Sequence, residues 1–249
     1  MKSTVNTFKN NIESVKKLIN FDREVLDLAI GSIEELHDLL LNNQKITNEQ
    51  LNGKRTLDII SGIRTNDSLK SRYSIINNQS IVLLVSYFSS AVADLFRSAS
   101  KIAVDIHKEK TVLDEELKIK VSELSQLNSS LGEAVGDLLI SKNNISFQDM
   151  KSIQREFKKY FHIKIEKDKS VNNIILSQAC RHSIAHEAGI VNKRILNQLQ
   201  AALPRDIKQD LNIDDKIEFS ESEIDQVSNS MLSYVTSLSE KVVAYSENI

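Results

Sequence analysis

The sequence predicts an all-α fold, and two features support that prediction. Only one proline and six glycines occur in 249 residues, so the residues that most often break helices are scarce. Apolar residues recur at helical spacing along most of the chain, and 41% of all residues are hydrophobic, which is ample for a core. We therefore expect one helical-bundle domain over residues 1–249.

The first predicted helix is long, running from about Thr4 to Asn42. Its apolar residues return every seven positions, at Ile12, Ile19, Leu26, Ile33 and Leu40. Asp22 interrupts the companion seam of Val15, Ala29 and Leu36, and Gly31 weakens the helix. The pattern therefore favours a long bundle helix packed on the rest of the chain. A dimeric coiled coil is the alternative interpretation of the same repeat.

The strongest apolar block of the chain runs from Ile81 to Ile102 and predicts the central core helix. A polar connection over residues 42–54 and a short amphipathic helix from Thr56 to Ile63 precede it. Serines, Asp94 and Arg97 interrupt the block too often for a membrane span, so we expect no membrane association.

Further helices are predicted along the second half of the chain. Helical spacing of apolar residues places them at Thr111–Leu127, Leu131–Ile140, Phe147–Phe161 and Val191–Leu203. Pro204 ends the last of these, and a capping box of Ser220 and Glu223 begins a final helix. Between them, Leu211–Phe219 alternates apolar and polar residues, which indicates a small β-hairpin or an extended segment near the C-terminus.

The most distinctive stretch is Cys180 to Val191, which reads C-R-H-S-I-A-H-E-A-G-I-V. At about 100° per residue, His182 and His186 lie one turn apart on the same helix face, with Arg181 beside them. Gly189 predicts a helix end or tight turn just beyond. We therefore expect two imidazoles and one guanidinium at the same end of a helix.

These side chains suit the cleavage of a phosphodiester. Histidine takes and gives protons near neutral pH, and arginine binds phosphate through a planar set of donors. The His-x3-His spacing also matches a metal site on a helix, but the fixed charge of Arg181 opposes a divalent ion, and the other histidines lie far off in sequence. A third interpretation is structural, with Arg181 and the histidines capping a surface helix.

The stretch R-H-S-I-A-H resembles the R-x4-6-H motif of the HEPN ribonuclease superfamily, in which a polar residue directly follows the arginine. Here the arginine is Arg181, the polar residue is His182 and the terminal histidine is His186. The following G-I-V and the apolar helix from Ile81 to Phe96 are similar to the RiboL-PSP-like group of bacterial HEPN proteins. The resemblance spans residues 77–249 and leaves residues 1–76 as an N-terminal helical extension.

The resemblance implies a HEPN-like bundle and a metal-independent endoribonuclease that needs no cofactor and cleaves single-stranded RNA by attack of the 2′-OH. Its catalytic residues would be Arg181, His182 and His186, in a composite site formed by a homodimer. The same resemblance implies a toxin or phage-defence role. A protein in such a role would have an antitoxin or inhibitor protein as its partner. Many relatives carry an acid where this chain has Ser89 and Ser90, and the next acid is Asp94.

A basic stretch precedes the motif and is the predicted RNA contact. The stretch from Lys151 to Lys169 contains seven basic residues and three acids, and Tyr160, Phe161 and His162 lie among them. Lysines that hold phosphates and rings that stack on bases are typical of single-stranded RNA binding. The alternative is a solvated helix face whose aromatic side chains lie in the core. The RNA-contacting residues that we predict are Lys158, Lys159, Lys164, Lys193 and Arg194.

Overall composition restricts the remaining classes of function. The formal net charge of −2 argues against a generally basic nucleic-acid binder and requires any RNA contact to be a local patch. The single cysteine, Cys180, excludes an internal disulfide and fits a reducing cytoplasm. Cys180 is either a nucleophile beside Arg181 or a small buried helix residue. No apolar run follows the N-terminal lysine, so we expect a cytoplasmic protein without a signal peptide.

Overall fold

The computed structural model describes residues 1–42, 53–65, 70–120, 131–200 and 202–247, and the described residues form nine α-helices and no β-strand. The all-α prediction is therefore confirmed. The helices are α1 (Lys2–Asn42), α2 (Gly53–Thr65), α3 (Lys70–Ile102), α4 (Lys110–Leu113), α5 (Leu131–Lys142), α6 (Met150–Phe161), α7 (Lys169–His186), α8 (Lys193–Gln200) and α9 (Glu221–Glu247).

Helix α3 is the centre of the bundle, as its apolar block predicts. It packs against α1, α5, α7 and α9, and its buried side chains include Leu84, Phe88, Leu95 and Phe96. A π-helical turn, Ala103–His107, continues it. By length and composition alone, Tyr73–His107 could cross a membrane, yet half of its most apolar window is buried inside the protein, as in the core helix of a bundle.

Helix α1 joins this core through its N-terminal half. Phe8, Ile12, Val15 and Ile19 are buried in the same hydrophobic cluster as the α3 side chains, so the predicted bundle helix is observed there. Its second half is more exposed and presents apolar side chains to solvent, at Phe21, Val25, Leu28, Leu36 and Leu39. The heptad repeat thus contributes to the core over only about half of the helix.

The predicted helix over Thr111–Leu127 is found only over its first turn and is wrong over residues 115–120. Helix α4 makes a single turn and ends at Leu113, and residues 115–120 are not helical, while 121–127 lie outside the described residues. Over residues 115–120, half-buried and exposed side chains alternate, and Leu117 packs against the core. The apolar spacing there therefore has the period of two that extended chain requires, rather than the period of 3.6.

The aromatic residues of the basic stretch lie in the core, and not on a stacking surface. The ring of Phe96 contacts the rings of Phe157, Tyr160 and Phe161 at centroid distances of 5.7, 5.9 and 5.1 Å. All three are buried, with Tyr160 at 0% exposure and Phe161 at 1%. The stacking interpretation of Tyr160 and Phe161 is therefore wrong, because their apolar area is used to pack α6 on α3.

The C-terminal region combines a confirmed cap with an extended segment. The backbone N–H of Ser220 donates to Glu223 Oε2 at 2.9 Å and that of Glu223 donates to Ser220 Oγ at 3.3 Å, so the capping box forms. The hairpin over Leu211–Phe219 does not form. Its backbone forms one antiparallel bridge, between Ile190 and Lys216, and the side chains of Asn77 and Asn78 on α3 donate to Phe219 O and Ile217 O.

Candidate functional site

Helix α7 places the motif, and its start is well defined. The carboxylate of Asp168 accepts a hydrogen bond from the backbone N–H of Val171 at 2.7 Å, which is a normal N-terminal cap. Along the helix, Leu176, Cys180 and Ser183 are fully buried and form what we call the core face of α7. The cavity face is formed by Ile175, Gln178, Ala179, Arg181 and His182, which line a common cavity.

Cys180 belongs to the core face. Its thiol has 0% exposure, and burial raises its pKa from 9.0 to about 12, because the thiolate would lie in an apolar surrounding. The nearby cations Lys208 and Arg205 oppose this rise without reversing it. Cys180 is therefore the small buried helix residue of the two interpretations, and its burial argues against the nucleophile.

The helix ends where the motif predicts. The last helical residue is His186, and the backbone N–H groups of Glu187 and Gly189 both donate to Ser183 O, at 2.8 and 3.0 Å. Gly189 has φ +74°, a left-handed conformation that glycine adopts without the steric cost of a Cβ atom. Gly189 is thus the helix-terminating glycine that the sequence predicts.

The loop after α7 is held in place by four hydrogen bonds. Ser183 Oγ donates to Ile190 O at 2.7 Å, and the backbone N–H of Ile217 donates to Gly189 O at 2.8 Å. Val191 pairs with the backbone of Asp214 and Asp215 on the extended segment. That segment therefore fixes the exit from α7, and with it the position of His186 at the helix end.

The two motif histidines are neighbours in space. The ring centroids of His182 and His186 are 5.0 Å apart, with their planes inclined by 54°. The side chain of His182 is 40% exposed, and its Nε2 lies 3.9 Å from Glu187 Oε1, while Glu187 also accepts a hydrogen bond from Asn192. Both imidazoles are therefore within reach of solvent and of a ligand, and a carboxylate lies near one of them.

A cavity of about 510 Å³ lies beside the motif, between the N-terminal end of α6, the cavity face of α7 and α8. Its lining is strongly cationic, since it contains four basic side chains and only one carboxylate, that of Asp149. The basic side chains are Lys151, Lys167, Arg181 and Arg194. Asp149 is already bonded to the backbone N–H of Ser152 at 2.7 Å as the cap of α6, so the lining favours an anionic ligand.

The predicted catalytic residues separate into two groups. Arg181 and His182 line the cavity, whereas His186 is exposed one turn further along α7 and is not part of the lining. Arg181 forms no ion pair or hydrogen bond with any side chain in the described ranges, which leaves its guanidinium available to a phosphate. Between Arg181 and His186 the helix turns by about 140°, so the two do not face the same point.

Of the five basic residues predicted to contact RNA, Arg194 lines the cavity with Arg181. Lys158, Lys164 and Lys193 are exposed on the surface and outside the cavity lining. The ammonium group of Lys159 is bonded to Glu115 at 3.1 Å and to the Tyr160 hydroxyl at 2.8 Å. Despite opposition from partial burial, these bonds raise the pKa of Lys159. Lys159 is thus engaged within the protein.

Most of the lining residues were missed as candidate site residues, among them Lys151, Lys167 and Gln178. Gln178 had a signal in the sequence, because it lies three residues before Arg181 and four before His182, on the same face of one helix. Lys151 and Lys167 had none beyond their place in the basic stretch. Only the packing of α6 against α7 brings them beside the motif.

Neither Asp94 nor the serines before it contacts the motif. Asp94 accepts a hydrogen bond from Arg97 at 2.8 Å, and Arg97 also bonds Asp137. Ser89 donates within α3 and toward Phe147 O, so it ties α3 to the segment before α6. Asp94 is therefore bonded within α3, and Ser89 links α3 to the segment before α6.

Nothing in the described ranges groups three or more His, Cys, Asp or Glu side chains as ligands for a metal ion. No protein-family model, curated protein or solved structure matches this chain. The chemistry of the site therefore has to be inferred from its own residues.

Proposed function

We propose that this protein is a metal-independent endoribonuclease that cleaves single-stranded RNA, in a HEPN-like bundle that serves a toxin or defence role. The observation that carries the proposal is the position of Arg181 and His182 on the wall of a cavity with four cationic side chains, with the His186 ring 5.0 Å from that of His182. Cations bind the phosphates, and paired imidazoles supply the proton transfers.

In the proposed reaction the ribose 2′-OH attacks the adjacent phosphorus. His186 removes the proton from the 2′-OH, the bond from O2′ to phosphorus forms, and the bond from phosphorus to O5′ breaks. A proton is delivered to O5′ by the second imidazole, His182, and Arg181 stabilises the charge on the phosphorane. The products are a 2′,3′-cyclic phosphate and a 5′-hydroxyl, so DNA, which lacks the 2′-OH, is not cleaved.

A second copy of the chain is part of this proposal. Because Arg181 and His186 diverge by about 140° around α7, one copy does not direct both at the same phosphate. His186 is exposed at the helix end, where another subunit could approach it. We propose a homodimer in which Arg181 of one copy acts with His186 of the other, as the resemblance implies.

The test is cleavage of a fluorescent single-stranded RNA in the presence of a chelator. We expect the wild-type protein to cleave and to leave a 2′,3′-cyclic phosphate, and His186→Asn or Arg181→Ala to lose activity by about a hundredfold or more. His162→Asn is the matched control, because His162 is an exposed histidine at the C-terminal cap of α6, outside the cavity. Activity that chelator abolishes, or that His186→Asn retains, contradicts the proposal.

The dimer has its own test. An equal mixture of the Arg181→Ala and His186→Asn proteins should regain cleavage after subunit exchange, since a mixed dimer retains one site with both an arginine and a histidine. A mixture that stays inactive, although sedimentation shows exchanged dimers, contradicts the composite site.

The second candidate function is a non-catalytic module that binds RNA or a partner protein such as an antitoxin. It is favoured by the absence of His186 from the cavity lining, which separates the binding surface from one of the two imidazoles. RNA binding without turnover, abolished by Arg181→Ala but not by His186→Asn, would identify this function.

A further inference from the structure

Gln178, which lines the cavity beside the motif, carries an unsatisfied polar group. Gln178 lies on the cavity face of α7 and is 8% exposed. Its amide nitrogen is buried and has no hydrogen-bond partner among the described residues. A buried donor without a partner is costly, so native proteins keep such groups mainly where a ligand or an ordered water completes them.

The rest of the lining has the character of a nucleobase site. Three other glutamines line the cavity, and carboxamides match the paired donors and acceptors on base edges. Met150, Ile175 and Ala179 add apolar surface against which a flat ring can pack. The other lining glutamines are Gln148, Gln154 and Gln198.

The cavity also has a suitable volume for a nucleobase, and Arg181 in its lining can bind the adjacent phosphate. Its volume of about 510 Å³ lies within the range of roughly 300–1,000 Å³ that is usual for small-ligand sites. Arg181 lies one turn beyond Gln178 on the same helix, so a base bound at Gln178 would have its phosphate within reach of the Arg181 guanidinium. A base and its adjacent phosphate are the two parts of one nucleotide.

We propose that this cavity binds one nucleobase of the RNA beside the scissile phosphate, and that the Gln178 carboxamide selects that base through hydrogen bonds to its edge. The inference rests on the proposed ribonuclease function for its substrate, but the binding of a nucleotide can be measured without any cleavage. Gln178 is a specificity-determining residue in this proposal and takes no part in proton transfer.

The first experiment is a cleavage map on an RNA pool of random sequence. We expect the wild-type protein to prefer one base at one position next to the cut by about tenfold or more, because an edge with matched hydrogen bonds discriminates to that extent. Gln178→Leu, which has similar size and no amide, should lose the preference and still cleave. Gln178→Asn, which withdraws the carboxamide by one methylene group, gives the same test if the leucine variant does not fold.

The second experiment measures the binding of the four nucleoside 3′-monophosphates to the His186→Asn protein by calorimetry. We expect one of them to bind about tenfold more tightly than the others, and Gln178→Leu in the same background to remove the difference. Lys241→Gln is the control, because Lys241 lines a separate and smaller cavity of about 210 Å³.

The two experiments distinguish the possible failures. Cleavage without base preference, or with a preference that Gln178→Leu leaves intact, overturns the base site and leaves the ribonuclease standing. Selective, Gln178-dependent nucleotide binding by a protein that never cleaves RNA supports the base site and overturns the ribonuclease. A protein that shows neither cleavage nor selective binding overturns both the base site and the ribonuclease.

Discussion

The two faces of helix α7 differ in chemistry although they alternate along the same 18 residues. The core face, Leu176, Cys180 and Ser183, is fully buried and makes no contact with the cavity. The cavity face carries the unpartnered amide nitrogen of Gln178 and the guanidinium of Arg181. A step of about 100° along the helix therefore decides whether a residue supports the fold or is available to a ligand.

The largest expected difference between the faces is in thiol reactivity. Burial raises the pKa of Cys180 from 9.0 to about 12, which lowers its thiolate fraction at pH 8 by about a thousandfold. We therefore expect iodoacetamide to modify Cys180 at least that much more slowly in the native protein than in urea. In the Cys180→Ala, Arg181→Cys double variant, the thiol on the cavity face should react readily. Equal rates for the two thiols would remove the distinction between the faces.

The next largest expected difference between the two faces is in how much their side chains contribute to the free energy of unfolding. Leu176→Ala is expected to lower the free energy of unfolding by about 2–5 kcal/mol, since it leaves a void at a site with 0% exposure. The neighbouring Ile175→Ala should cost about half as much or less, because that side chain is only partly buried and borders the cavity. Urea denaturation followed by circular dichroism measures both. A larger loss for Ile175→Ala would mean that the cavity face bears the packing.

Cations near the cavity face should control RNA affinity. Arg194→Gln is expected to weaken binding by about tenfold and to reduce the dependence of log K on log salt by about one charge, because one phosphate contact is lost. Lys241→Gln should change binding by less than about twofold, since the smaller cavity that Lys241 lines also contains Glu166 and Asp168. Fluorescence anisotropy with a labelled single-stranded RNA, over a series of salt concentrations, gives both quantities. Equal losses would place RNA elsewhere on the surface.

The smallest effect is expected at the end of α7, beyond both faces. Gly189→Ala should lower the free energy of unfolding by about 1 kcal/mol, because φ +74° is unfavourable for a residue with a Cβ atom, although no atom lies closer than 4.0 Å to the added methyl group. Thermal denaturation measures the loss. An unchanged melting temperature would show that the turn after His186 adapts, and that the extended segment does not fix the helix end.

Local patterns determined much of this protein. The all-α class, the central helix around Ile81–Ile102, the capping box of Ser220 and Glu223 and the end of α7 near Gly189 follow from short-range spacing and from turn chemistry, which act within a few residues. The pairing of His182 with His186 follows from one helical turn in the same way. These features need no knowledge of distant parts of the chain.

Tertiary structure alone decided the rest. Periodicity did not separate residues 115–120 from a helix, because their alternation appears only when one side of the segment is buried. From the sequence alone, Tyr160 and Phe161 could face RNA or the core, and their ring contacts with Phe96 place them in the core. The cavity depends on the docking of α6 and α8 beside α7, which brings Lys151 and Arg194 to Gln178 and Arg181. Residues far apart in the chain share a site only through packing, and short-range sequence spacing does not encode it.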